Sequence, residues 1–213
     1  QSAPTELEVV SEELTIDCAE EHHRPRCELR AVYTVRNPTA APQKAAAAFY
    51  GVHAAGIAIV RNGVSIARDL PDGVTSAIDR RVGLQPSEAL TRVGLEVSLD
   101  PAETAILVVT GRLFPGERVV PSYTVPAVEI RHELLGAKAR SRTFDLRYLV
   151  APVRSWGAHP ATVAVTFRHP DAWTVGGLDG ETTIHDGVRS IHAVLDVDRT
   201  EELTVVLKLP PPL

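Results

Sequence analysis

Histidine and aspartate side chains in the last third of the chain are the main candidates for metal or proton chemistry. Imidazole binds metals and exchanges protons near neutral pH, and the chain has eight histidines. Turn signals place His169, Asp171, His185 and Asp186 at strand ends, where residues of different strands can converge on one rim. These four are the candidate ligands of a metal whose identity is unknown, although the same pattern also fits opposite rims.

Two cysteines, Cys18 and Cys27, end one strand pattern and begin the next, so a hairpin would bring their sulfur atoms together. A disulfide here would be typical of an oxidising compartment. The rival interpretation is a zinc or copper site that adds His22 and His23 as ligands. However, this spacing matches no standard zinc pattern, and adjacent histidines in an extended segment point to opposite sides. We therefore expect the disulfide.

The segment between the cysteines is charged and is expected to protrude, which makes it a candidate surface for a protein partner. Its possible binding residues are His22, His23, Arg24 and Arg26. Two tryptophans are further candidates, because flat amphipathic rings stack on sugars or peptides. Trp156 precedes a glycine and Trp173 follows Pro-Asp-Ala, so both lie in loop or edge settings. The alternative is that both rings cap the core.

Motifs for catalysis are absent from the sequence. Residues 63–67 fail the nucleophile-elbow pattern at its last position, and residues 131–135 lack the second histidine of a zinc helix. Acidic pairs such as Glu12-Glu13 are adjacent, so each pair would split across the two faces of a strand. We interpret them as solvated edge charges rather than catalytic dyads. No catalytic residue and no cofactor is predicted.

Length, charge and hydropathy exclude several classes of function. The 213 residues are 44% hydrophobic and 23% charged, as in packed globular proteins. A net charge of −5 supplies no basic field for nucleic acid, and no apolar run reaches the roughly 20 residues of a membrane-spanning helix. The chain starts at Gln1 and contains no Met, which suggests a removed signal peptide. We expect a periplasmic or extracellular protein.

Period-two alternation of apolar side chains runs through the chain and predicts about fourteen strands, hence an all-β protein. The turn signals between these strands are Asn62-Gly63, Asp72-Gly73, Asp179-Gly180 and Asp186-Gly187. One short helix is predicted near 87–93, with Ser87 as its N-cap and Gly94 as its stop.

Many short antiparallel strands with regular turns favour a β-sandwich architecture. Prolines between 115 and 126 are hard to place in a central strand, so we divide the chain there. The division gives an N-terminal sandwich over 1–122, which carries the disulfide hairpin, and a C-terminal sandwich over 123–213. One larger sandwich would use the same strands.

Two stretches of the chain carry short motifs of a family. The first is an acidic-Leu-x-Ile strand at 12–16, an aromatic strand ending in Arg-Asn-Pro at 32–38, and Ala-Ala-Phe at 47–49. The second is Phe-Asp-Leu-Arg-Tyr-Leu-Val at 144–150, followed by Trp-Gly at 156–157. Together they resemble a family of exported bacterial periplasmic β-proteins of unknown function, and the segment between the cysteines departs from its pattern. The resemblance implies export and no catalytic residue.

These observations favour a non-enzymatic interaction or scaffold module that binds a protein partner or another cell-envelope component. A second hypothesis is a binding module for a small ligand, metal or glycan, which uses the histidine-rich rim or the tryptophans. A third is a hydrolase with a site assembled from strand ends, a type that motifs miss. No nucleic-acid partner and no membrane span is expected.

Overall fold

The computed structural model describes residues 6–82, 90–118 and 142–211. These residues are mostly in strands, which confirms the all-β class. In chain order the elements are β1 (Glu8–Glu21), β2 (Arg24–Arg36), β3 (Gln43–Val52), β4 (Ala54–Arg61), β5 (Val64–Ser65), α1 (Asp72–Val82), β6 (Leu90–Leu99), β7 (Thr104–Leu113), β8 (Gly116–Glu117), β9 (Arg142–Leu149), a 3-10 helix (Ala151–Ser155), β10 (Thr162–Pro170), β11 (Thr174–Gly176), β12 (Glu181–His185), β13 (Val188–Asp196) and β14 (Glu202–Leu209).

The hairpin of β1 and β2 carries the predicted disulfide. Cys18 and Cys27 are opposite each other in the antiparallel register, with their Cα atoms 4.0 Å apart, and both are buried. His22 and His23 form the turn with φ angles of 49° and 63°, so they are not extended. Two consecutive residues with positive φ are typical of the type I′ turn that joins tightly paired strands.

Removing this disulfide tests its contribution to stability. We expect the double variant Cys18→Ala, Cys27→Ala to lose about 2.5 kcal/mol of unfolding free energy, because the unfolded chain regains the freedom of the closed loop. Urea denaturation monitored by circular dichroism measures this loss, with reduced wild-type protein as the control. Equal midpoints for oxidised wild type and variant would contradict the expectation.

An eight-stranded sheet forms the largest part of the fold, in the order β12-β13-β10-β1-β2-β7-β4-β5. β1 pairs in parallel with β10, while β1 also pairs with β2 in the antiparallel sense. The sheet therefore contains strands from both sides of the predicted domain boundary. The boundary itself, between 122 and 123, lies outside the described residues.

Two smaller sheets complete the strand pairing, one of β11-β14-β9-β8 and one of β3-β6. Their buried side chains and one face of the eight-stranded sheet belong to the same hydrophobic cluster. Phe49 of β3 and Tyr148 of β9 lie with ring centroids 6.3 Å apart, so the two smaller sheets meet at these rings. The alternating positions predicted to face inward along β9, β10 and β14 are buried as expected.

The predicted helix near 87–93 is wrong over its described part. Residues 83–89 lie outside the described residues, and Leu90 begins β6, which pairs along its whole length with β3. Gly94 lies inside this strand, opposite Ala48, and a Cβ at this position would come within 2.7 Å of the Arg68 carbonyl oxygen. Its carbonyl accepts a 2.8 Å hydrogen bond from the Arg68 amide, so the glycine permits a close approach and does not end a helix.

The described helix instead covers Asp72–Val82 and starts where a turn was predicted. The carbonyl of Pro71 accepts hydrogen bonds from the amides of Val74 and Thr75, which closes the first turn. Asp72 places a negative charge at the positive end of the helix dipole, and Ile78 is buried. The Asp-Gly pair at 72–73 therefore opens a helix, and the prediction of a turn there is wrong.

The turns predicted at Asn62-Gly63 and Asp186-Gly187 are confirmed. All four residues have positive φ, and each pair joins two neighbouring antiparallel strands. These are the conformations that Asn, Asp and Gly tolerate best. In the described ranges, no helix has the length and apolar character needed to cross a membrane.

Candidate functional site

The candidate metal ligands of the last third lie at one end of the eight-stranded sheet, but they do not assemble. His185 and Asp186 lie at the tip of the β12–β13 hairpin, with Nδ1 and Oδ2 3.0 Å apart, and both are highly exposed. The Asp171 amide donates to the Gly187 carbonyl at 2.8 Å, which brings the end of β10 beside this tip. Within the part of the chain that the structure describes, no three His, Cys, Asp or Glu side chains form a metal-binding group.

His169 is separated from the others by burial. Its ring is 1% exposed and lies against Phe167, with centroids 5.8 Å apart. Nδ1 is 2.8 Å from the Pro170 carbonyl, and burial lowers the pKa of the imidazole. Asp171 is held by Arg189 through contacts of 2.9 and 2.7 Å. His169 is therefore a neutral core residue, and Asp171 already has a basic partner.

The four candidate binding residues of the first hairpin are in and beside its tip. His22 and His23 are the turn itself, and both are exposed. Arg24 lies 3.7 Å from Glu117, and Arg26 pairs with two glutamates of the same hairpin. Much of the positive charge at the tip is therefore already paired within the chain.

The two tryptophans have different environments. Trp173 is 5% exposed and belongs to the hydrophobic core, in agreement with the core-cap alternative. Trp156 is half-buried, follows the 3-10 helix and lines a cleft. The amide of Gly157 donates to the Leu7 carbonyl at 2.9 Å, which fixes the Trp156 segment beside the start of β1.

A β-bulge in β1 turns Glu12 toward this cleft. The register with β2 shifts between Val9 and Ser11, so Val10 is an extra residue in β1. Before the bulge, odd-numbered side chains face inward; after it, even-numbered ones do, and Glu12 takes an inward position. Glu12 is 3% exposed while Glu13 is exposed. The adjacent pair splits across the two faces as predicted, but the interpretation of Glu12 as a solvated edge charge is wrong.

Glu12 belongs to a buried chain of hydrogen bonds between two sheets. The Tyr148 hydroxyl of β9 donates to Glu12 Oε1 at 2.7 Å, and the hydroxyls of Tyr148 and Tyr33 are 2.9 Å apart. A phenol has one proton to donate. When Glu12 is ionised, Tyr148 donates to the carboxylate, and Tyr33 of β2 must donate to Tyr148.

Burial controls the protonation of these groups. It raises the pKa of the Glu12 carboxyl to about 7, and the nearby hydroxyls of Tyr148 and Tyr33 oppose only part of this rise. Burial and the nearby carboxyl also raise the pKa of both phenols well above their usual range. Near neutral pH, Glu12 therefore exists in both charged and neutral forms, whereas the tyrosines remain neutral.

Beside Glu12 lies a cleft that is partly open to solvent. Its walls come from strands of both smaller sheets, from β2, β4 and β7, and from the segment after β9. The lining side chains that matter most here are aromatic or apolar: Tyr33, Phe49, Tyr50, Leu107, Val153 and Trp156. An apolar cleft with a few convergent polar groups is the usual form of a small-ligand site.

A second polar network holds one wall of the cleft. The Tyr50 hydroxyl donates to Asp79 Oδ1 at 2.7 Å, and Arg92 donates to Asp79 Oδ2 at 2.6 Å. Tyr50 lies on β3, Asp79 on α1 and Arg92 on β6, so α1 is tied to the two-stranded sheet. This network fixes the Tyr50 ring and satisfies its hydroxyl.

Sequence reasoning missed Glu12, Tyr33 and Tyr148 as site residues. The available signal was parity: Leu14, Ile16 and Cys18 alternate as inward residues, and the same alternation extended backward reaches Glu12. Glu12 and Tyr33 come from the first stretch with a family resemblance, and Tyr148 and Trp156 come from the second. The two stretches therefore meet at the cleft.

Comparison with known sequences gives distant similarities. No protein-family model matches the chain. Two 1-deoxy-D-xylulose 5-phosphate reductoisomerases of Desulfitobacterium hafniense, from strains Y51 and DSM 10664, are 29% and 28% identical over 140 residues. Each alignment covers 61% of this chain and 36% of the relative, so the chain spans little more than a third of these proteins. This level of similarity assigns no family.

Comparison with solved structures identifies a shared fold. A Legionella pneumophila protein, described as a candidate nutrient-binding protein, has a TM-score of 0.61 and 11% identity, over 96% of this chain and 67% of that one. The M1 zinc metallopeptidase of Deinococcus radiodurans has a TM-score of 0.45 and 14% identity, over 95% of this chain and 42% of that one. At such identities the Legionella structure is evidence of fold alone.

Proposed function

We propose that the protein is an exported, non-enzymatic binding module and that its small-ligand site is the cleft above Glu12. In this proposal the eight-stranded sheet and the smaller sheets are the layers of a sandwich, and the cleft opens between them. One observation carries the proposal: an ionisable carboxyl lies buried on the inside of an apolar cleft that is open to solvent.

The energetic cost of this carboxyl supports a functional role. A buried carboxyl with a pKa near 7 destabilises the folded state at neutral and higher pH relative to an exposed one. The carboxyl accepts a hydrogen bond from the Tyr148 hydroxyl, which is weaker compensation than a basic partner. Perturbed ionisable groups in clefts concentrate at functional sites, which is why we assign the site here.

Binding is better supported than hydrolysis. The described residues that line the cleft include one carboxyl, Glu12, but no serine, cysteine, lysine or histidine. A hydrolase site requires two convergent reactive groups. The tyrosines beside Glu12 do not supply the second group, because their raised pKa values keep them protonated. The lining therefore offers hydrogen bonding and apolar contact.

Export and partner binding are further parts of the proposal. The buried Cys18–Cys27 disulfide is compatible with an oxidising compartment such as the periplasm or the cell exterior. Binding of a protein partner or cell-envelope component through the β1–β2 hairpin stays a prediction. It has weaker support than the cleft, since Arg24 and Arg26 already pair within the chain.

Titration with a neutral aromatic probe tests the cleft. We expect 2-phenylethanol to shift the indole N–H resonance of Trp156 and not that of Trp173, because only Trp156 lines the cleft. Trp156→Ala should weaken binding roughly tenfold through loss of the aromatic wall. The titration is followed by two-dimensional NMR, and Glu13→Gln, which changes the exposed neighbour of Glu12, is the control. Equal affinity in wild type and Trp156→Ala would overturn the assignment, and so would the absence of a Trp156 shift both with this probe and with its positively charged amine analogue.

A further inference from the structure

The described side chains that line the cleft can carry negative charge but no positive charge. Glu12 is its charged group, and no Lys, Arg or His is among the described residues that line it. The network that holds the Tyr50 hydroxyl contains a basic side chain, Arg92, but Arg92 is paired with Asp79. The whole chain also carries a net charge of −5. The field inside the cleft therefore favours a positive ligand.

The ionised carboxylate of Glu12 is incompletely compensated. Its hydrogen-bond partner is the neutral phenol of Tyr148, which in turn lies against the neutral phenol of Tyr33. A buried charge is stable when an opposite charge lies beside it. A cation delivered by a ligand would supply the charge that the chain does not place there.

The walls of the cleft suit the same kind of group. Four lining residues have aromatic rings, namely Tyr33, Phe49, Tyr50 and Trp156. Ring faces attract ammonium groups electrostatically, and a carboxylate combined with aromatic rings is a recurrent arrangement for binding amines. The aliphatic lining residues, such as Leu107 and Val153, offer contact to an apolar body.

We propose that the ligand of the Glu12 cleft is a small organic cation, a primary or methylated ammonium group attached to an apolar body. This inference rests on the proposed function and specifies its ligand class. The ammonium group lies at Glu12 and against the aromatic rings, and the apolar body fills the cleft toward Trp156.

Binding of such a cation is linked to the protonation of Glu12. The titratable groups that face the carboxyl are the hydroxyls of Tyr33 and Tyr148, and Tyr50 lines the same cleft with Asp79 and Arg92 behind it. The tyrosines stay neutral over the range in which Glu12 titrates. Because the cation requires the carboxylate, its affinity should increase about tenfold from pH 6 to pH 8.

Two probes with the same aromatic body separate the charge from the shape. Calorimetric titration uses phenethylammonium and 2-phenylethanol at pH 6 and pH 8, with wild type, Glu12→Gln and Glu13→Gln. We expect phenethylammonium to bind wild type more tightly than the alcohol at pH 8 and to gain about tenfold between the two pH values. Glu12→Gln should remove both the preference and the pH dependence, whereas Glu13→Gln should retain them.

The outcomes distinguish the ligand class from the site. If the alcohol binds at Trp156 but the ammonium probe binds no better and gains nothing with pH, the cation inference is wrong and the cleft assignment stands. If neither probe binds at Trp156, the proposed function fails. An ammonium probe that keeps its affinity and pH dependence in Glu12→Gln would also overturn the inference, because it would be bound elsewhere.

Discussion

Glu12→Gln should make the protein more stable at pH 8 by about 3 kcal/mol, and at pH 5 by less than about 1 kcal/mol. The carboxyl of Glu12 has a pKa of about 7 in the folded protein, against 4.5 for an ordinary glutamate. Below pH 4.5 both states hold the proton, so this group costs nothing. Between pH 4.5 and 7 the unfolded chain has lost the proton and the folded chain retains it, and stability falls until it levels above pH 7.

Urea denaturation at half-unit steps from pH 5 to pH 8 measures this effect. The difference in unfolding free energy between Glu12→Gln and wild type isolates Glu12, because other titrating groups are common to both proteins. Glu13→Gln is the matched control, since the same chemical change at the exposed neighbour should leave the pH profile as it is in wild type. A wild-type profile that runs parallel to that of Glu12→Gln would show that Glu12 titrates as an ordinary glutamate.

Asn37→Asp should destabilise the fold by at least about 3 kcal/mol at pH 7.5. Asn37 is fully buried, and the two N–H bonds of its Nδ2 are shared among the carbonyls of Ala41, Leu99 and Asp100, which lie at 2.9, 3.1 and 3.0 Å. Its Oδ1 accepts from the amide and the hydroxyl of Thr39. Replacing the amide nitrogen with a carboxylate oxygen turns donors into an acceptor, so three carbonyls would face a buried negative charge.

The effect of Asn37→Asp reports on how the β2–β3 turn is attached to the turn between β6 and β7. The measurement is the unfolding free energy from urea denaturation, and the loss should shrink toward pH 4 as the new carboxyl is protonated. Asn62→Asp is the matched control, because Asn62 lies in an exposed type I′ turn where Asp-Gly is also favourable. A loss of similar size at both positions would show that the buried hydrogen bonds of Asn37 contribute little.

Local signals account for the parts of the fold that were predicted correctly. The all-β class follows from period-two alternation, which reports burial of one strand face. The turns at Asn62-Gly63 and Asp186-Gly187 follow from residue types that accept positive φ. The disulfide follows from two cysteines on either side of a hairpin turn. Each of these features depends on residues that are close together in the chain.

The helix shows where local signals are insufficient. A cap-like serine and a glycine predicted a helix near 87–93, yet residues from Leu90 onward pair with β3. Pairing between strands that are distant in sequence outweighed a weak helical pattern, as tertiary context often does. The helix that does form, α1, is tied to β3 and β6 by the Tyr50–Asp79–Arg92 network, which no local pattern reveals.

Local sequence patterns were enough to predict the strands, the main hairpins, the disulfide and the separation of Glu12 from Glu13 onto opposite faces. Which face of β1 is buried depends on tertiary structure, because the bulge at Val10 sets the parity of β1 and the inward face joins the same hydrophobic cluster as the smaller sheets. Tertiary structure also decided the partners of Glu12, since Tyr148 is 136 residues away in the chain. Alternation is a local property, whereas burial of a carboxyl beside two phenols requires three strands to meet, and only the packed sheets bring them together.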